Sequence, residues 1–503
     1  MIHSGSVSRR EFLAGAASIG AALALPPALR ADPLAPLGLP RRRAVPVRVR
    51  GRVTALGRPV PGSGVSDGIS VVSTDAEGRF QLVTDRSRAH IAVTPPAGYG
   101  IPVNPAGTAR LYQPVTPDAR GEATALFSLT PLGSGDERHG FLVLADPQTQ
   151  DRYEMGRFHA ETVPDLLASA KAMAEVPLFG VADGDIMYDN LDLYPEYERA
   201  VGLIGVPFFQ VVGNHDLDLD ATSDEDSTAT FTRRFGPRYY SFNRGRIHYV
   251  VLDDVFYYKG GYLGYLPAEQ LGWLAADLAR VEKGGTVVVF LHIPLLSSLY
   301  ERNNEARPPI SNSVTNRDAL LALLEPYRAH LISGHTHECE HRTHGKVAEH
   351  TLGAACGAWW TGDICYDGTP NGYGVFEAVG DELRWRYKAT GQPSERQCVV
   401  YPIGADPRSP DEIVANVWNW DPSWTVTWYE DGQRRGAMAR RLGLDPTAVL
   451  TQTGPDLPKR RGWVDPEPTA HLFYAPVSRG AREVRVEVTD RFGRTSSLVV
   501  PSP

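Results

Sequence analysis

The chain has 503 residues, 42% of them hydrophobic and 22% charged, and a net charge of -8. That length exceeds what one hydrophobic core serves, so about two to four globular domains of ordinary composition are expected. The acidic balance argues against nucleic acid as the natural partner, because that affinity comes from lysines and arginines neutralising phosphates; small phosphorylated substrates held by a local metal centre remain open.

In chain order, residues 1–31 read as a signal peptide. "SRREFL" carries the pair Arg9-Arg10, and a Gly/Ala-rich apolar stretch follows, with small residues at Ala28 and Ala31. The stretch is too short to span a bilayer, and charged start, apolar middle and small-residue end are the marks of an export signal. The arginine pair resembles the twin-arginine signal, which moves folded proteins, so a periplasmic or extracellular location is expected. Cleavage after Ala31 removes Arg9, Arg10, Arg30 and Glu11, which takes the charge from -8 to about -10. No later segment is long and apolar enough for a transmembrane helix, and nothing in the sequence sets an oligomeric state.

Residues 32–44 are Pro-rich, carry three arginines at 41–43 and read as a linker. Residues 45–132 alternate short β-rich runs with turns and are expected to form a small β-sandwich; "DAEG" at 75–78 reads as a hairpin loop. This module has no cluster of histidines, cysteines or paired acids, so packing or presentation is its expected role.

Across residues 138–392 apolar strands alternate with helical stretches. "FLVLAD", "PLFGVADGD", "PFFQVVGNHD", "TVVVFLHIP" and "AHLISGHTH" read as strands, and "VPDLLASAKAMAEV", "AEQLGWLAADLARV" and "RDALLALLEPY" as helices. Continuous apolar runs belong to strands buried on both faces, as in α/β folds. Residues 395–503 return to short strands and are expected to form a second β-sandwich, with the tryptophans of "NWDPSWTVTWYEDG" in its core. Cys339, Cys356, Cys365 and Cys398 form no CxxC pair, which argues against a structural zinc site and for buried free thiols.

Each of the five central strands ends in potential metal ligands: Asp146-Pro147-Gln148, Asp183-Gly184-Asp185, Gly213-Asn214-His215-Asp216, His292 and Gly334-His335-Thr336-His337. Loops at the carboxyl ends of strands converge on one crevice in open α/β sheets. Single pieces such as "GD" or "GNH" are common and otherwise read as turns; all five in order are not. Together they resemble the calcineurin-like metallophosphoesterase superfamily, in the bacterial branch with N- and C-terminal β modules. That resemblance implies a four-layer αββα sandwich flanked by two small all-β sandwiches, and an exported hydrolase of phosphomonoesters or phosphodiesters.

It further implies two divalent ions bridged by Asp185. Asp146, Gln148 and His337 complete one site; Asn214, His292 and His335 complete the other. His215 is implied as the general acid, with Asp189 placed to orient it or, equally, to cap a turn. The superfamily's first motif usually carries histidine where Gln148 stands. An amide oxygen is a harder ligand than imidazole, which favours Mn²⁺, Mg²⁺ or Fe²⁺ over Zn²⁺, with manganese first. The aromatic, glycine-rich stretch 353–374 reads as a wall beside the metals or as packing between domains. Arg233, Arg234 and Arg238 read as surface charge or as a phosphate hold. Two alternatives stay open: a phosphatase of phosphoproteins or inositol-type phosphates, and a non-catalytic surface binding protein on the same scaffold.

Overall fold

The computed structural model describes residues 45–453 and 459–500. The expected signal peptide and linker lie outside the described residues. Among those described, no helix is long and apolar enough to cross a membrane.

The centre of the molecule is a pair of sheets packed face to face. In the first, the strands Phe208–Val211, Leu178–Asp183 and Arg138–Leu144 run parallel, and Gly372–Val379 and Glu382–Ala389 continue antiparallel. In the second, Ile247–Val251, Thr286–Phe290, Arg328–Ser333 and Val347–Thr351 run parallel, with antiparallel strands Tyr240–Arg244 and Glu340–His344 at the edges.

The period-two alternation of strand side chains sets the layers. Phe141 and Val143 point between the sheets, where they meet Phe179, Phe209, Phe242, Tyr249 and Phe290. Phe141 stacks on Phe179 at 5.0 Å and on Phe376 at 4.8 Å, and Phe209 stacks on Phe242 at 4.1 Å. Leu142 and Leu144 point the other way, onto Val163, Leu166 and Ala170 of the helix Val163–Ala172 and onto Tyr194 and Tyr197. Val287 and Val289 of the second sheet face the helices Ala268–Leu278 and Arg317–Leu324. The result is helix, sheet, sheet, helix: a four-layer αββα sandwich.

Two β-sandwiches flank it. The N-terminal one packs a sheet around Pro46–Ala55 against a sheet around His90–Thr94. The "DAEG" turn joins these two sheets: Val71–Ser73 pairs in one and Arg79–Asp85 in the other. It is therefore an arch, which local turn chemistry does not distinguish from a hairpin. The C-terminal sandwich packs four strands on four, with Trp424 in its core and Trp420 and Trp428, half-buried, packed against it. All four cysteines are buried free thiols.

Candidate metal centre

The five strand ends converge. Asp185 Oδ1 lies 3.3 Å from His292 Nε2, and that nitrogen lies 3.2 Å from both Asn214 Oδ1 and His335 Nδ1. On the other side, Gln148 Nε2 donates to Asp185 Oδ2 at 2.9 Å. Asp146 Oδ1 lies 3.5 Å from His337 Nε2, and Asp146 Oδ2 accepts from the His335 backbone N–H at 2.9 Å. All seven residues expected as ligands thus belong to one network. Only His335 keeps appreciable exposure.

Strand ends place these groups through unusual backbone. Asp146, Gln148, Asp185, His335 and His337 all have positive φ, between 43° and 69°. Each such residue costs about 1–3 kcal/mol and persists where its surroundings over-determine it. The motif glycines are required by space. A Cβ at Gly213 would fall 2.0 Å from the Asp185 backbone nitrogen, and one at Gly334 would fall 2.4 Å from Asp146 Oδ2. At Gly184 it would meet the His292 ring at 2.2 Å.

The imidazoles are aimed by their rear nitrogens. His292 Nδ1 donates to the Asp183 carbonyl at 3.1 Å, His335 Nε2 to the Ser311 carbonyl at 3.0 Å, and His337 Nδ1 to the Gly357 carbonyl at 2.6 Å. A carbonyl only accepts, so each rear nitrogen carries a hydrogen and the front nitrogen is the one turned into the site, the orientation that metal-binding histidines take.

The chemistry of this donor set fits divalent cations. Five carboxylates lie buried here, at Asp146, Asp183, Asp185, Asp216 and Asp254. Asp146 Oδ1 and both oxygens of Asp183 lack a hydrogen-bond donor, and buried anionic groups are normally paired or bound to metal. Burial opposes charge on His292, yet Asp185 and the carboxylates behind it lift its pKa to about 10. Asp185, His292 and His335 alone bring three ligand atoms within 4.8 Å of one another.

His215 sits at the rim. Its backbone N–H donates to Asp185 Oδ1 at 2.8 Å, and its Nδ1 lies 2.8 Å from Asp189 Oδ1. Burial works against a charged ring, but Asp185 and Asp189 outweigh it and hold the pKa above the ordinary histidine value. Tyr188 stacks on the ring at 4.3 Å.

Sequence reasoning missed several supports. Asp216 accepts from the backbone N–H groups of Gly213, Ile186 and Met187 and from the Tyr194 hydroxyl, so it ties two site loops together. Burial, then the nearby Asp185, lift its pKa to about 7. Asp254 holds the His292 turn through the N–H groups of His292 and Ile293. The aspartate of "GNHD" was a visible signal for the first; only a strand-end "DD" announced the second. Arg238 is neither surface charge nor a phosphate hold: it is bound to Asp253 at 2.8 Å and to Asp224 at 3.3 Å. Arg234 pairs with the buried Glu198. The 353–374 stretch does both things expected of it, since Trp359 stacks on His337 at 4.2 Å and also meets Trp463 of the C-terminal module at 4.5 Å.

Fold and site together define the metallophosphoesterase class. Residues 139–339 match the calcineurin-like phosphoesterase family, residues 47–132 match the N-terminal part of calcineurin-like phosphoesterase, and residues 349–495 match its C-terminal part. The chain belongs to the calcineurin-like phosphoesterase family, with both flanking modules. It is 33% identical over 147 residues to purple acid phosphatase 15 of Arabidopsis thaliana, covering 27% of this chain and 25% of that protein. It is 25% identical over 193 residues to the human serine/threonine-protein phosphatase CPPED1, covering 38% of this chain and 58% of that protein. The chain thus spans from a quarter to somewhat over half the length of these relatives. Among solved structures, the purple acid phosphatase PPD1 from yellow lupin superposes with a TM-score of 0.37 at 13% identity, covering 68% of this chain and 67% of that one.

Proposed function

We propose that the protein is an exported metallophosphoesterase that hydrolyses small phosphomonoesters or phosphodiesters on two divalent cations. One observation carries this reading: the two oxygens of Asp185 face two different sets of donors, His292 on one side and Gln148 on the other. A carboxylate so placed is suited to bridging a pair of ions. Asp146, Gln148 and His337 would hold one ion with Asp185; Asn214, His292 and His335 would hold the other. Gln148 presents its amide nitrogen to Asp185, so service as a ligand requires the amide turned end for end.

When bound, such ions supply an activated water and neutralise charge on the phosphoryl oxygens. The remaining work belongs to the chain. His215, raised in pKa and partly exposed beside Asp185, donates a proton to the departing oxygen. Asp189 holds the His215 ring through Nδ1 and leaves Nε2 for that proton. The amide character of Gln148 supports manganese at the first position, and Arg9-Arg10 supports export by the twin-arginine route.

The test is hydrolysis of p-nitrophenyl phosphate and bis(p-nitrophenyl) phosphate by the full chain. Activity should vanish with chelator and return with Mn²⁺. Protein replete with metal yet inert on both esters overturns the proposal.

A further inference from the structure

Two residues of the C-terminal module reach the rim of the metal centre. The Arg461 guanidinium lies 5.1 Å over the Tyr188 ring, and that ring also stacks on His215 at 4.3 Å. Two residues on, Trp463 meets Trp359 edge-on at 4.5 Å, and Trp359 stacks on His337 at 4.2 Å. The segment 461–463 therefore lies one ring away from the proposed acid and one ring away from a proposed ligand.

Arg461 is not free to bind phosphate. Its Nη2 is held at 2.9 Å by Glu154 Oε1, which is fully buried, and at 2.9 Å by Gln150 Oε1. It is a strut that fixes the height of the segment and braces Tyr188. Trp463 differs: 54% of it is exposed, although its backbone is anchored two residues from that strut. An exposed indole whose inner neighbour stacks on a proposed ligand is suited to stacking on a flat ring.

The leaving group departs on the side of the acid, and Arg461 of this segment lies one ring from that acid while Trp463, two residues on, lies one ring from a proposed ligand. We propose that Trp463, seated on Trp359, is a leaving-group platform, and that the substrates are phosphoesters of alcohols bearing an aromatic or heteroaromatic ring. The proposal rests on the phosphoesterase reading above and deepens it. Stacking on a single aromatic face is sequence- and substituent-tolerant, so the platform selects for a ring and not for one particular ring.

The experiment compares Mn²⁺-loaded wild type, Trp463→Ala and Trp463→Phe on 2-naphthyl phosphate and glycerol 2-phosphate. The ratio of kcat/KM for the naphthyl ester over the glycerol ester should fall about tenfold in Trp463→Ala and largely recover in Trp463→Phe. An unchanged ratio overturns the platform, whether Trp463 then proves inert or proves a contact for another protein. If wild type hydrolyses neither ester, nor bis(p-nitrophenyl) phosphate, the phosphoesterase reading has failed on its own. The platform is then decided by binding of naphthylmethylphosphonate, followed by indole fluorescence. Weaker binding to Trp463→Ala supports the platform; equal binding to both proteins overturns it.

Discussion

Asp189 Oδ1 and His215 Nδ1 stand 2.8 Å apart, and Asp189 takes a left-handed backbone, φ 60°, to make that approach. The carboxylate favours the protonated ring. A general acid acts only while protonated, so a raised pKa extends activity toward higher pH. Asp189→Asn removes the charge and keeps the shape, so the alkaline limb of the pH–rate profile should move to lower pH. His215→Ala should keep its metal and lose about 10²–10⁴ in kcat. An Asp189→Asn profile that overlays wild type removes this coupling.

Asp185→Asn should lower metal content, measured by elemental analysis of the purified protein. Ions that bind the folded state alone stabilise it, so if wild type holds the proposed pair, chelation should lower its Tm and Mn²⁺ should restore it. The variant's Tm should respond to neither treatment. A variant that retains two ions would show that Asp185 is not their bridge.

Gly213→Ala places a methyl 2.0 Å from the Asp185 backbone nitrogen. That nearest atom is backbone and cannot swing away, and Asp185 Oδ1 lies 2.3 Å off as well, so a loss of at least about 1–3 kcal/mol in stability is expected, with loss of metal. Gly272 is the control. It is exposed within the helix Ala268–Leu278 and has nothing within 4 Å of its missing Cβ. Gly272→Ala should stabilise by about 1 kcal/mol. Denaturant midpoints of the two variants check the opposite signs.

His139 donates Nδ1–H to the Asp136 carbonyl at 2.9 Å and accepts the Tyr249 hydroxyl on Nε2 at 2.6 Å. Burial lowers its pKa to about 4. The unfolded chain therefore takes up this proton first, so the residue's contribution is complete above about pH 6.5 and is lost as pH falls toward 4. The stability gap between wild type and His139→Gln should shrink by about 2 kcal/mol between pH 7.5 and 5. A gap independent of pH would contradict the assignment.

The site was legible because each donor sits at the end of an apolar run, where both the strand and its turn are local properties. Asp146, Asp185, Asn214, His292, His335 and His337 each show locally as a polar residue at a strand end, and the five motifs in order, through the family they resemble, mark them as ligands. What stayed hidden depends on contacts between remote segments. Arg238 looks like any surface arginine until Asp224 and Asp253 close around it. The helix Tyr194–Gly202 has a buried stripe at helical spacing, Tyr194, Tyr197, Glu198 and Val201, but tyrosines and a glutamate carry it, so it does not stand out as an apolar run. Arg461 and Trp463 gave no sign of approaching residues some 300 and 100 positions earlier, because nothing in their neighbours encodes the packing of one module on another.

Glu154 lies wholly within the central sandwich, yet its charge is answered by Arg460 and Arg461 from the module that follows. The central sandwich is therefore not a transplantable part. Excised near residue 392, it would keep every proposed ligand and the acid, but Glu154 would lose both arginines and keep only the Gln150 backbone N–H at Oε2. Anyone wishing to shorten this chain must first replace those two cations or neutralise Glu154, because the helix Arg152–Arg157 beside the site carries that carboxylate.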